Sequence, residues 1–119
     1  MQWNLDKNRP ICPQLCEQIC VRIAAGKLKP GERLRSVREV ALEAGVNPNT
    51  VQKAFGVLEQ QGLIYSVRGS GWYVGEQIIT AQQTVEQLKK SKTEAFFEEM
   101  KLLGQTKEQV KKFIEEWNG

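Results

Sequence analysis

Apolar positions along the chain change period several times, and each change marks an element. Trp3 and Leu5 alternate with Gln2, Asn4 and Asp6, a period-two stretch that predicts extended chain over residues 1–10. From Cys12 the period becomes helical. Cys12, Leu15, Cys16, Ile19, Cys20 and Ile23 recur at three- and four-residue steps and form one continuous stripe. A first helix is expected from about Pro10, whose missing N–H costs nothing in a first turn, to Ala25, with Gly26 just past its end. Leu28-Lys29-Pro30-Gly31-Glu32 reads as a turn.

Ser36 and Glu39 have the spacing of a capping box, so a second helix is expected from Val37, with Val40 and Ala41 inward and Gly45 as its stop. Ala44-Gly45-Val46 then reads as a tight link. Asn47 suits an N-cap and Pro48 a first helical position, opening a third helix whose buried face is Val51, Ala54, Phe55 and Leu58. Leu63 to Val67 and Trp72 to Val74, separated by Arg68-Gly69-Ser70-Gly71, predict a hairpin with a glycine-rich tip. From Gln77 the helical spacing returns through Ile78, Ala81, Val85, Leu88, Ala95, Phe96, Met100 and Leu103, weakened at Lys89-Lys90-Ser91-Lys92 and closed by Gly104. Thr106 and Gln109 form a second capping box before a short last helix striped by Val110, Phe113, Ile114 and Trp117. The expected class is mainly α with a small β-hairpin wing. Residues 1–75 form a winged helix-turn-helix, and residues 76–119 form a helical tail.

Charge sharpens this division. Residues 1–75 carry ten Lys and Arg against six Asp and Glu, whereas residues 76–119 carry seven against eight. The basic excess lies in the N-terminal part, as in a module that faces nucleic acid. No apolar run approaches the roughly 20 residues of a membrane span, and no apolar leader opens the chain, so a cytoplasmic location is expected. The absence of histidine removes His-based zinc sites and His-dependent acid–base or nucleophilic catalysis. No Walker-type loop is present, and neither an enzymatic activity nor a cofactor is expected.

Two helices joined by a short Gly-containing link and followed by a hairpin make a winged helix-turn-helix, whose second helix projects its N-terminus outward. That end carries Asn47, Asn49, Thr50, Gln52 and Lys53. Asn and Gln amides match the donor–acceptor pattern of adenine in the major groove, and the helix end offers free N–H groups to phosphate. Asn47 on its own is better explained as the cap. Arg35 and Arg38 flank Ser36 at the start of the second helix, within reach of a DNA backbone. Arg68 sits beside Gly69 at the wing tip, where a Cβ-free backbone allows close approach and arginine suits a narrow minor groove.

The stretch from Gly26 to Val74 resembles the DNA-binding domain of the GntR family of bacterial regulators. Gly26-Lys27-Leu28-Lys29-Pro30-Gly31-Glu32-Arg33-Leu34 is similar to that family's opening turn, and Ser36-Val37-Arg38-Glu39-Val40-Ala41 to its second helix. Gly45-Val46-Asn47-Pro48-Asn49-Thr50-Val51 resembles the turn and the start of the recognition helix. Leu58-Glu59-Gln60-Gln61-Gly62-Leu63-Ile64 and Gly69-Ser70-Gly71-Trp72-Tyr73-Val74 resemble the helix end and the wing. The resemblance implies that Arg38 contacts DNA, that Asn47, Pro48, Asn49, Thr50 and Gln52 occupy recognition positions, and that Arg68 and Gly69 occupy wing positions. Arg35 stands where the family usually has proline, and Pro48 and Gln52 where some members carry arginine.

A tail of this length is too short for the large effector domains of most members and resembles that of the YtrA subgroup, which mainly dimerises. This implies a homodimer on a palindromic double-stranded operator, most simply as a repressor, with Leu88, Phe96, Met100, Leu103, Val110, Phe113, Ile114 and Trp117 at the interface. The effector, if one exists, is not legible. Cys12, Cys16 and Cys20 share the stripe of the first helix. Core packing is their expected role, and a soft-metal or redox site is the alternative. Phe96, Phe113 and Trp117 suit a core or interface better than a ligand cavity. A winged helix that binds protein instead of DNA is the rival class, disfavoured by the basic N-terminal half and the polar recognition face.

Overall fold

The structure is a computed structural model that describes residues 2–119. Its elements are α1 (Ile11–Ala24), α2 (Val37–Ala44), α3 (Pro48–Gln60), β1 (Ile64–Val67), β2 (Gly71–Val74), α4 (Ile78–Leu102) and α5 (Lys107–Glu115). The fold is mainly helical with a two-stranded antiparallel sheet. The chain forms two compact units, one ending at Val85 and one running Glu86–Gly119.

In the first unit α1 lays Leu15, Ile19, Cys20 and Ile23 into a core shared with Val40 and Ala41 of α2 and Val51, Ala54, Phe55 and Leu58 of α3. The predicted stripe is present, but its centre is aliphatic: Cys20 is buried, and Cys12 and Cys16 lie half-buried on its flank. The hairpin pairs Ile64 with Val74 and Val67 with Gly71, closing Leu63, Ile64 and Val74 over the helices. Phe55 meets Trp72 edge-on, with ring centroids 5.4 Å apart.

Residues 2–10 form no strand, although their alternation is real: Trp3 and Leu5 pack against the core while Gln2, Asn4 and Asp6 are exposed. Met1 lies outside the described residues. Conversely, residues 31–34 do more than turn. Gly31 N–H donates to the Val74 carbonyl, Val74 N–H to that of Glu32, and Leu34 N–H to that of Trp72, at 2.8–2.9 Å, so this segment flanks β2 as a third strand-like edge. With Glu32 and Arg33 exposed, no alternation betrayed it.

The first unit extends past the expected 75/76 boundary. Ala81, in the second turn of α4, is fully buried, and the Cys20 thiol donates to its carbonyl at 3.6 Å. Gly75 marks the join. A Cβ there would stand 2.7 Å from the Gly62 carbonyl oxygen, so only glycine lets β2 leave the hairpin on this path.

In the second unit Gly104 turns the chain at φ +78°, and the Thr106–Gln109 capping box opens α5. Val110 is buried and Phe97 and Met100 are half-buried, while Phe96, Leu103, Phe113, Ile114 and Trp117 are exposed.

Candidate nucleic-acid interface

The link between α2 and α3 sets the site. Gly45 ends α2 in the left-handed region at φ +67°, and its N–H and that of Val46 both return to the Ala41 carbonyl. Asn47 is then extended and caps α3: its Oδ1 accepts the Asn49 N–H at 2.8 Å, and Pro48 takes the first turn. The cap role assigned to Asn47 is what the structure shows. No acidic side chain stands in the first turn of α3, so the positive end of its dipole is not neutralised by its own helix. Around it Pro48, Asn49, Gln52 and Lys53 are exposed, and Thr50 is half-buried. The expected free N–H groups are absent here: Pro48 has none, the Asn49 N–H goes to Asn47 Oδ1, and those of Thr50 and Val51 go to the Asn47 carbonyl, so the helix end offers an anion its dipole and the exposed amides and lysine around it.

At the start of α2 the capping box forms in full. Ser36 Oγ accepts the Glu39 N–H at 3.1 Å, and Glu39 Oε1 accepts the Ser36 N–H at 3.0 Å. These hydrogen bonds, led by those with Ser36 and supported by Arg35, hold the Glu39 carboxyl below its ordinary value. Arg35, one residue before the N-cap, is turned along α2, with ion pairs to Glu39 at 3.3 Å and Glu43 at 3.2 Å. The positive charge it adds where proline is usual is therefore compensated within α2. Arg38 is exposed and makes no ion pair among the described residues.

At the wing, Ser70 N–H closes onto the Val67 carbonyl at 2.9 Å, with Gly69 at φ +78° and open space where its Cβ would be. Arg68 is exposed beside it. The tip is braced by two residues that the sequence did not single out. Arg33 Nη2 donates to the Ser70 carbonyl at 2.7 Å, and the Tyr73 hydroxyl bonds Ser70 Oγ. The strand-like edge at 31–34 is what carries Arg33 there, so the missed edge and the missed brace have one cause.

Two of the three cysteines are held in the protonated form. Burial, reinforced by the neighbouring Cys12, pushes the Cys16 thiol up to about 12, and burial also raises Cys20. Protonated thiols are poor ligands and nucleophiles at neutral pH. Among the described residues no three His, Cys, Asp or Glu side chains converge as a metal site, and no helix is long and apolar enough to cross a membrane.

A helix-turn-helix with no acidic residue at the start of its second helix, followed by a hairpin wing, is the fold of winged-helix DNA-binding transcription regulators. Residues 13–74 match the family model described as bacterial regulatory proteins, gntR family, and the chain belongs to that family. The transcriptional regulator YhcF of Bacillus subtilis strain 168 is 34% identical over 110 residues, which span 92% of this chain and 91% of that one. The transcriptional repressor YtrA of the same organism is 45% identical over 67 residues, 56% of this chain and 52% of its own. Among solved structures, a GntR family transcriptional regulator from Listeria monocytogenes superposes with a TM-score of 0.81 at 36% identity, covering 96% of this chain and all of that one. The DNA-binding domain of AraR, solved in complex with operator ORE1, gives 0.54 at 35% identity over 63% of this chain and 94% of that one.

Proposed function

We propose that this regulator is a repressor of the YtrA subgroup, acting in the cytoplasm without catalysis as a homodimer on a palindromic operator. The N-terminus of α3 carries the reading: a capped helix end with no acidic residue in its first turn, edged by exposed Asn49, Gln52 and Lys53. In this reading Asn49 and Gln52 read base edges, Thr50 and Pro48 fit the groove wall, and Arg38, Arg68 and the Gly69 backbone hold phosphates. Ser36 and Asn47 act by capping the helices that present these groups. Arg35 contributes only if a phosphate displaces Glu39 and Glu43, which exposed ion pairs of this kind allow at small cost. The likeness to YtrA supports repression, and that to operator-bound AraR supports a duplex partner.

Two copies are required because one winged helix covers little DNA and the tail leaves apolar side chains uncovered. Phe113 and Ile114 on α5, and Trp117, which the sequence reading placed on that helix but which lies just past its end, are each more than half exposed, and Leu103 is 69% exposed. A second copy of the same tail is the natural cover. Leu88 and Met100 are half-buried within the chain and support that interface, whereas Val110, 3% exposed, belongs to the tail's own interior.

The test of the DNA face is a salt series on a duplex recovered by selection from a random library. Arg38→Ala and Arg68→Ala should each weaken binding and reduce the salt slope by about one, whereas Asn49→Ala should relax preference at one base pair by ~1–3 kcal/mol. Unchanged affinity at two salt concentrations in both arginine variants would remove them from the interface.

A further inference from the structure

Residues 2–10 form a strap whose backbone is fastened to α1 by two glutamines. Gln18 pairs both ways with Asn4, its Nε2 donating to the Asn4 carbonyl at 2.6 Å and its Oε1 accepting the Asn4 N–H at 3.1 Å. Gln14 does the same to Asp6, at 3.0 and 2.8 Å, and its Nε2 also reaches the Pro10 carbonyl at 2.9 Å. Each side-chain amide thus stands in for a neighbouring strand. Farther back the strap is weighted by Trp3, over whose ring the Arg22 guanidinium lies at 4.4 Å. Asp6 folds the next residues into a turn, its Oδ1 accepting the Asn8 N–H at 3.0 Å and its carbonyl the Arg9 N–H at 3.2 Å.

Lys7 sits on that turn, and its ammonium is committed elsewhere in the fold. Nζ donates to the Ala44 carbonyl at 3.0 Å and to the Gly45 carbonyl at 2.8 Å. These are carbonyls at the C-terminal end of α2, which lack partners within the helix and carry the negative end of its dipole. They also belong to the link that leads through Asn47 into α3. A charge-assisted pair of hydrogen bonds therefore joins the α1-bound strap to the hinge of the helix-turn-helix.

We propose that Lys7 is a positioning residue for operator recognition. Its ammonium clamps the α2–α3 link and fixes the direction in which the α3 N-terminus is presented. In this assignment its ammonium holds its own chain and not DNA, through the carbonyls of Ala44 and Gly45. The inference rests on α3 being the reading helix. Loss of the clamp loosens the link in the free protein, so base reading weakens while phosphate binding does not.

The test compares the full chain with Lys7→Met, Lys7→Arg and Arg38→Ala on two labelled duplexes, one recovered by selection and one scrambled. Lys7→Met should lose about fivefold or more on the selected duplex, stay within about twofold on the scrambled one, and keep the salt slope. Lys7→Arg, which still donates to both carbonyls, should restore binding. Amide exchange at Gly45 and Val46 should quicken in Lys7→Met while α1 and α3 stay protected. Equal losses on both duplexes with a slope lower by about one would make Lys7 a phosphate contact and overturn the proposal. So would a general loss of protection across α1 and α3, or failure of Lys7→Arg to restore binding. No effect of Lys7→Met while Arg38→Ala weakens both duplexes would reject the clamp alone. No effect of either would reject the DNA face itself.

Discussion

Cys16 lies on the flank of α1 with its Sγ 3.5 Å from the Ala54 carbonyl oxygen, and its thiol is pushed up to about 12 from an ordinary 9.0. The folded chain holds this proton while the unfolded chain releases it. The contribution to stability is therefore complete below 9.0 and is lost as pH rises through about 12. Two outcomes follow. Cys16→Ala should flatten the alkaline loss of stability in a pH series of denaturant melts. Cys16 and Cys20 should also alkylate far more slowly in the folded than in the unfolded protein at neutral pH, by mass spectrometry of the labelled peptides. Rapid, reversible peroxide loss of DNA binding that depends on these thiols would contradict their assignment to the core. At this scale the sequence was readable wherever a residue has one dominant local use. Asn47, Ser36 and Thr106 cap helices because their short oxygens reach an N–H two or three residues on. Arg35 and Arg33 were not readable, because long guanidinium chains choose partners by tertiary placement. Arg35 finds carboxylates on α2, and Arg33 finds a carbonyl 37 residues away.

Among elements, α2 and α3 are held by their first turns. The Glu39 carboxyl is depressed below its ordinary 4.5, so the support it gives the capping box is present above that value and is lost as pH falls through the folded value. Glu39→Gln should therefore cost stability near neutral pH and converge with the parent chain in acid, as followed by thermal melts at stepped pH. Ser36→Ala should cost ~1 kcal/mol at any of these pH values, since it removes the hydroxyl that accepts the Glu39 N–H. A constant Glu39→Gln difference across the acid range would place the carboxylate outside the box. The helices were legible to within a residue or two because their caps and stripes agree. The edge at 31–34 and the strap at 2–10 were not, because neither makes a regular ladder of its own. The first borrows its hydrogen bonds from β2 and the second from glutamine side chains. In the tail, the interruption at Lys89-Lys90-Ser91-Lys92 blurred the phase of α4. The expected stripe took Phe96 and passed over Phe97, yet Phe97 is the half-buried one.

At the scale of the whole molecule, the winged helix reaches beyond residue 75 to take in Ala81, so any separation of reading module from tail belongs after Val85. The tail exposes Phe113 and Trp117, whose rings lie 5.7 Å apart, and a second copy of the chain is the proposed cover. Phe113→Glu should move the protein toward monomer in light scattering and weaken operator binding while the first unit keeps its fold, because a charge enclosed at that interface lacks a partner. An unchanged dimer would place the interface elsewhere. Two copies reading two half-sites is the proposed mode of binding, and native mass spectrometry of the full chain on a duplex recovered by selection tests it directly. The expected result is an inverted repeat bound by two chains, with no stable complex of one chain on one duplex. A selected site without two-fold symmetry, occupied by a single chain, would contradict it.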